Sequence, residues 1–139
     1  MIVDIIGWSP EMEIGHQKVD QQHKKLFEIA AMLSGDADQL RVMRVLASLS
    51  EYVQVHFREE ESLLEEIGYP KLAEHKAIHD AFRARLAKLY TNAGGMALDR
   101  ITDEVRLMVN DWLVNHILVT DREYVKYLRS DLSLPDSVG

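Results

Sequence analysis

Four stretches of this chain space their apolar residues in alternating steps of three and four, and each interrupts that stripe with histidine or carboxylate. The spacing is that of a helix burying one face against other helices. Over residues 18–34 the stripe reads Val19, His23, Leu26, Ala30 and Leu33. Over 37–66 it reads Leu46, Leu49, Val53, His56, Glu60, Leu63 and Ile67. Over 70–91 it reads Leu72, His75, His79, Phe82, Leu86 and Leu89. The fourth stretch begins near Ala97 and uses Leu98, Ile101, Val105, Met108, Trp112 and His116. The fold expected is all-α, an up-down-up-down four-helix bundle with an extended N-terminal arm and a short C-terminal helix.

The residues between the stretches punctuate them. Gly35 ends the first, and Asp36 with Gln39 has the spacing of a capping box for the second. Gly68-Tyr69-Pro70 breaks the chain, with Pro70 placed for the first turn of the third helix. Asn92 to Gly95 reads as a turn. Residues 1–17 contain Gly7, Pro10 and Gly15 and lack helical periodicity, so they read as an arm. Its apolar members Ile5, Ile6, Trp8 and Ile14 are expected to lie along the outside of the bundle. One spacing resists a continuous helix. His116 and Asp121 are five residues apart, which is about 140° around an ideal α-helix. Thr120 and Glu123 repeat the capping-box spacing. The sequence therefore predicts a break near 117–120 and a short fifth helix over 121–130, with a polar tail over 131–139.

The polar residues on the stripes carry the chemistry. His23, His56, His75, His79 and His116, with Glu60 and Asp121, would all point into one bundle interior. Burying them without partners would be very unfavourable. The pairs His56/Glu60 and His75/His79 stand at i,i+4, one turn apart on one face. Imidazole with carboxylate suits iron, zinc, copper or nickel better than magnesium or calcium. Seven ligands exceed what one transition ion normally takes, so two ions are expected. A carboxylate can join two ions through its two oxygens, whereas an imidazole lone pair serves one. Glu60 and Asp121 are therefore the natural bridges. The histidines divide unevenly, leaving one ion with an open position where a small molecule such as dioxygen would bind. Zinc or manganese could occupy the same ligands.

Other residues read more plainly. His16 lies outside every stripe and is expected at the surface. Glu59 and Glu61 flank Glu60 but point off the stripe, as a solvated face. Phe27, Phe57, Trp112, Leu113 and Val119 stand within a turn of the candidate ligands and are expected to pack in the core, some lining a water-poor pocket. The methionines read as gap fillers.

Composition narrows the alternatives. A chain of 139 residues is expected to form one domain, with an arm (1–17), a bundle (18–130) and a tail (131–139). It has no cysteine, which removes disulfides, thiolate zinc sites and iron–sulfur clusters. Its net charge of -7 argues against nucleic-acid binding. No apolar run approaches the ~20 residues needed to span a bilayer. The N-terminus has no basic region and carries an early Asp4, unlike a secretory signal, so a cytoplasmic location is expected.

Val19-Asp20-Gln21-Gln22-His23, His56-Phe57-Arg58-Glu59-Glu60, His75-x-x-x-His79 and His116-Ile117-Leu118-Val119-Thr120-Asp121 resemble the hemerythrins, most closely the bacterial ones, as does the early Gly7-Trp8. The resemblance covers nearly the whole chain, and all seven ligand positions are filled. It implies a four-helix bundle around two iron ions joined by an oxo or hydroxo bridge. It further implies that His75, His79 and His116 hold one iron and that His23 and His56 hold the other, where dioxygen binds, with Glu60 and Asp121 bridging. The function expected is reversible dioxygen binding for carriage, storage or delivery, not enzymatic catalysis. None of the four helical stretches contains the Glu-x-x-His motif of ferritin-like oxygen-activating sites. The expected partner is dioxygen, with neither nucleic acid nor membrane, and a monomer is expected. The alternatives are an oxygen- or redox-sensing module acting through a signalling or redox partner, and iron storage or detoxification of peroxide or nitric oxide.

Overall fold

The computed structural model describes residues 7–33 and 38–128. Helix α1 (Gln17–Ala31) starts where the His16 ring accepts a hydrogen bond from the Val19 backbone N–H, satisfying one of the unpaired donors of a helix start. Helix α2 (Gln39–Glu66) is capped by Asp38, whose carboxylate accepts from the Arg41 N–H at 2.8 Å. Asp38, rather than Asp36, therefore caps this helix; Asp36 lies outside the described residues, as do Gly35, Ile5, Ile6 and the tail over 131–139.

Gly68 ends α2 in the left-handed region, with φ +71°, which glycine adopts without a Cβ penalty. Its N–H bonds to the Glu65 carbonyl and that of Tyr69 to the Leu64 carbonyl, the paired bonds of a Schellman motif. Tyr69 and Leu64 are both buried in one apolar cluster, as that motif favours. Pro70 falls in the turn, two residues ahead of α3 (Leu72–Asn92), rather than in its first turn.

The fourth helix departs most from expectation. It begins as α4 (Leu98–Leu107), widens to a π-helix over Met108–Leu113 and again over His116–Thr120, then tightens to a 3₁₀ turn over Asp121–Tyr124 and closes with α-helix over 125–128. No break occurs: Thr120 (φ -67°, ψ -48°) and Asp121 (φ -70°, ψ -31°) keep right-handed helical geometry. Thr120 makes no capping bond, so its capping-box spacing is not used. A distinct turn does start at 121, as predicted, but the chain reaches it by widening.

Contacts between side chains fix the helix directions. Lys18 and Gln22 of α1 meet Glu59 and His56 of α2 in that order, and Gln54 and Glu60 of α2 meet Arg83 and His75 of α3. Phe82 of α3 stacks on Trp112, and Arg85 faces Glu104. Successive helices therefore run antiparallel, and the chain is an all-α four-helix bundle. The striped positions are buried almost throughout, including Val19, Leu26, Ala30 and Leu33 of α1 and Phe82, Leu86 and Leu89 of α3. Late in α2 the buried position is Leu64, with Leu63 and Ile67 only half-buried. A straight helix turns once per 3.6 residues, so a strict alternation of three and four drifts off the core.

The core has two apolar parts. The larger includes Leu26, Leu46, Val53, Phe57, Phe82, Leu86, Val105, Leu113 and Ile117, with Trp8 packed against it. The smaller holds Ile14, Val19, Leu64, Tyr69, Tyr124 and Leu128. Along every helix the striped polar residues lie between the two parts. Among the described residues no helix is long and apolar enough to cross a membrane.

Candidate metal centre

Local helix geometry brings the polar residues to one level. In α2 the ordinary turn stacks His56 over Glu60, and in α3 it stacks His75 over His79. In the fourth helix the Asp121 backbone N–H bonds to the His116 carbonyl five residues back. That is the π-helical hydrogen bond, and it returns a residue five positions on to the same face. The spacing that an α-helix cannot accommodate is thus met by one widened turn.

All seven predicted residues come together, each no more than 2% exposed. One donor atom from each of Glu60, His75, His79 and His116 lies within 4.8 Å of the others, and the same holds for His23, His56 and Glu60. Glu60 therefore stands between a three-histidine pocket and a two-histidine pocket. Its Oε1 is 2.9 Å from His75 Nε2 and 3.0 Å from His79 Nε2, whereas its Oε2 lies 4.0 Å from His23 Nε2. Asp121 spans the same gap. Its Oδ1 is 3.0 Å from His116 Nε2 and its Oδ2 is 3.2 Å from His23 Nε2.

The donor set lacks enough hydrogens for its acceptors. His79 faces a carboxylate from both nitrogens, Nδ1 to Glu61 Oε2 at 2.7 Å and Nε2 to Glu60 Oε1 at 3.0 Å. A neutral imidazole carries one N–H, so the second contact needs a further proton or a cation. Both ring nitrogens of His23, Nδ1 of His116 and both oxygens of Asp121 are buried without a well-formed hydrogen bond. Orphaned buried polar atoms are rare and call for a partner. Nitrogen and oxygen donors converging in two groups around shared carboxylates fit a pair of transition ions.

The electrostatics differ between the pockets. Burial, aided by His23 and His79 and opposed by Glu60 and Asp121, pushes His56 down to about 3, so it stays neutral. Burial also opposes charge on His116, but the adjacent Asp121 and Glu60 outweigh it and raise His116 to about 10. Burial works against ionised Glu60 too, yet the surrounding His116, His75 and His79 hold it well below the usual carboxylate range. For Asp121, burial and the Glu60 charge oppose ionisation; His116 and His23 prevail and lower it.

Several residues that sequence reasoning missed support the cluster. Tyr124 donates its hydroxyl to Glu60 Oε2 at 2.8 Å, and burial followed by the Glu60 charge pushes that phenol well above its usual value. Gln22 accepts from His56 Nδ1 at 2.7 Å and donates to Glu59 at 3.0 Å. Glu61 binds His79 and the guanidinium of Arg83. Glu59 and Glu61 thus do more than face solvent. Glu61 lies one turn beyond Phe57, and Phe57 stacks on His79 with ring centroids 3.7 Å apart; the i,i+4 spacing puts both on one face, but nothing in the sequence points that face at His79. Trp112 stacks on His116 at 4.5 Å. Val119, expected in the core, is 54% exposed, because the widened turn carries it to the outside. His16 caps α1 and does not join the cluster.

A model of the hemerythrin HHE cation binding domain matches residues 15–128. The chain belongs to the hemerythrin family. It is 37% identical over 125 residues to bacteriohemerythrin of Clostridium acetobutylicum, covering 85% of this chain and 97% of that protein. It is 34% identical to bacteriohemerythrin of Stenotrophomonas maltophilia, covering 93% and 85% respectively. A crystallised hemerythrin mutant superposes with a TM-score of 0.81 at 29% identity, over 91% of this chain and 98% of that one. This member of the family carries five of its histidines and Glu60 inside the bundle, in a cluster able to bind metal.

Proposed function

We propose that the chain binds dioxygen reversibly at a di-iron centre held by His23, His56, Glu60, His75, His79, His116 and Asp121. The observation that carries this reading is Glu60 set between a three-histidine and a two-histidine pocket. When bound, an iron pair supplies the electrons that reversible dioxygen binding requires. His75, His79 and His116 would hold one ion and His23 and His56 the other, with Glu60 and Asp121 shared. The two-histidine side has fewer protein ligands and so leaves room for a small molecule. Tyr124 fixes the orientation of the Glu60 carboxylate by its hydrogen bond. Phe57 and Trp112 pack against the ligand rings, and with the buried Phe27, Leu113 and Ile117 they line the bundle interior with apolar surface that excludes water.

The reading is tested by the absorption spectrum of iron-loaded, reduced protein under argon, then air, then argon. A ligand-to-metal band that appears and disappears over repeated cycles is expected. A band that forms once and persists would favour redox sensing or peroxide chemistry instead. Loading should also stabilise the fold, because ions remove the unpaired buried donors. An ion at ~100 times its Kd adds about 2.7 kcal/mol. For a domain of this size that is on the order of 10 °C in Tm. Equal melting of stripped and loaded protein would overturn the ligand assignment.

A further inference from the structure

We propose that Glu61 and Gln22 are positioning residues that make the two pockets unequal, so that a divalent ion enters the three-histidine pocket first. This rests on the metal-site reading and concerns how that site fills.

The run Glu59-Glu60-Glu61 places three carboxylates in three roles. Glu60 lies inside the cluster, fully buried. Glu61, with its side chain 14% exposed, sits behind His79 and accepts from Nδ1 at 2.7 Å. A carboxylate only accepts, so Nδ1 carries a hydrogen, and Nε2, which faces Glu60 at 3.0 Å, offers its lone pair once an ion takes the place of a proton there. The Phe57 ring lies parallel to the same imidazole, tilted by 1°. Arg83 holds Glu61 from outside at 3.1 Å and also reaches Gln54 and Asp80, so the carboxylate is fixed from both sides. His79 is therefore locked in tautomer and in plane, with a negative charge at its back.

Glu59 acts on the other pocket through an intermediary. It pairs with Lys18 and accepts from the Gln22 amide N–H at 3.0 Å. That orients the amide, so its oxygen faces His56 and accepts from Nδ1 at 2.7 Å. His56 is also locked with Nε2 inward, but by a neutral group. His23, the other histidine of that pocket, has no hydrogen bond at either nitrogen. The three-histidine pocket thus has one more imidazole and an anion directly behind one ring. Partners of this kind commonly change metal affinity by ~10–100-fold.

The test titrates the metal-free protein with Co²⁺, following ligand-field absorption against a competing chelator, with folding checked by circular dichroism. The unsubstituted chain should bind in two separable steps. Glu61→Leu should weaken the tighter step by ~10–100-fold and leave the other near its original value. Gln22→Leu should weaken the second step and spare the first. Glu61→Gln keeps an acceptor but loses the charge, so it should fall between Glu61→Leu and the unsubstituted chain. Nitrogen NMR of metal-free protein, at a pH where the His79 ring carries a single hydrogen, supplies an independent reading: that hydrogen should sit on Nδ1 in the unsubstituted chain and in Glu61→Gln, and lose that preference in Glu61→Leu. Equal weakening of both steps by either leucine substitution, or no change in affinity and tautomer, would overturn the proposal while leaving the two-ion site standing. An unsubstituted chain that binds fewer than two Co²⁺ would overturn the site reading itself.

Discussion

Helix α2 and the fourth helix each deliver one histidine and one carboxylate to the same cluster, by different backbones. In α2 His56 and Glu60 are four residues apart on an unbroken α-helix, capped by Asp38 at its start and closed at Gly68. In the fourth helix His116 and Asp121 are five apart, and the helix widens to bring them onto one face. The residue spacing selects the backbone, because both helices must present their donors at the same level. The regular helix gains a second benefit. Its next pair, Phe57 and Glu61, is also four apart and grips His79. The widened helix instead sends Tyr124 to Glu60, and it turns Val119 to solvent.

The most drastic way to break this comparison is to exchange the spacings. Inserting one alanine between Arg58 and Glu59 would rotate Glu60, Glu61 and Leu64 together by about 100°. Deleting the exposed Val119 would leave His116 and Asp121 four apart, a spacing an ordinary α-helix accepts. The insertion is expected to abolish binding of both ions, whereas the deletion retains them. Metal quantitation on the two variants decides, and equal loss in both would show that the π turn does more than restore the face.

The carboxylates give the next largest effect. Glu60→Ala and Asp121→Ala should each prevent assembly of the paired centre, since each spans both pockets. His16→Ala should leave both ions in place and cost about 1 kcal/mol at most, for a lost helix cap. Two ions retained in both carboxylate variants would refute the shared-ligand role.

The metal-free protein should show the contrast in its pH dependence. His56 is lowered to about 3 in the folded chain, so its stabilising contribution is present above the unfolded value near 6.5 and is lost as pH falls toward 3. His116 is raised to about 10, so its contribution is full below about 6.5 and is lost as pH rises toward 10. Stability of the metal-free fold should therefore peak near neutral pH. Replacing His116 by Gln should flatten the alkaline limb, and replacing His56 by Gln the acid limb, in chemical denaturation measured across pH.

The smallest effect separates the two capping signals. Asp38→Ala should destabilise by about 1 kcal/mol, because its carboxylate bonds the Arg41 N–H. Thr120→Ala should stay within about 0.5 kcal/mol, because Thr120 caps nothing. A larger loss at Thr120 would mean that a break resembling the one expected from sequence forms in solution.

The sequence by itself determined the bundle and the seven residues inside it. Burial follows helical periodicity, and a polar residue on an apolar stripe is visible without coordinates, as His23, His75 and Glu60 were. It also exposed the misfit between His116 and Asp121, because the angle per residue is a property of the helix. It did not determine how the misfit is resolved. A break and a π turn answer the same spacing equally well until neighbouring helices fix where Asp121 must point. Glu61 at His79, Gln22 at His56 and Tyr124 at Glu60 likewise belong to the tertiary structure alone. Each joins residues far apart in the chain, and a carboxylate one position off the stripe reads the same from sequence whether it faces water or an imidazole of the next helix.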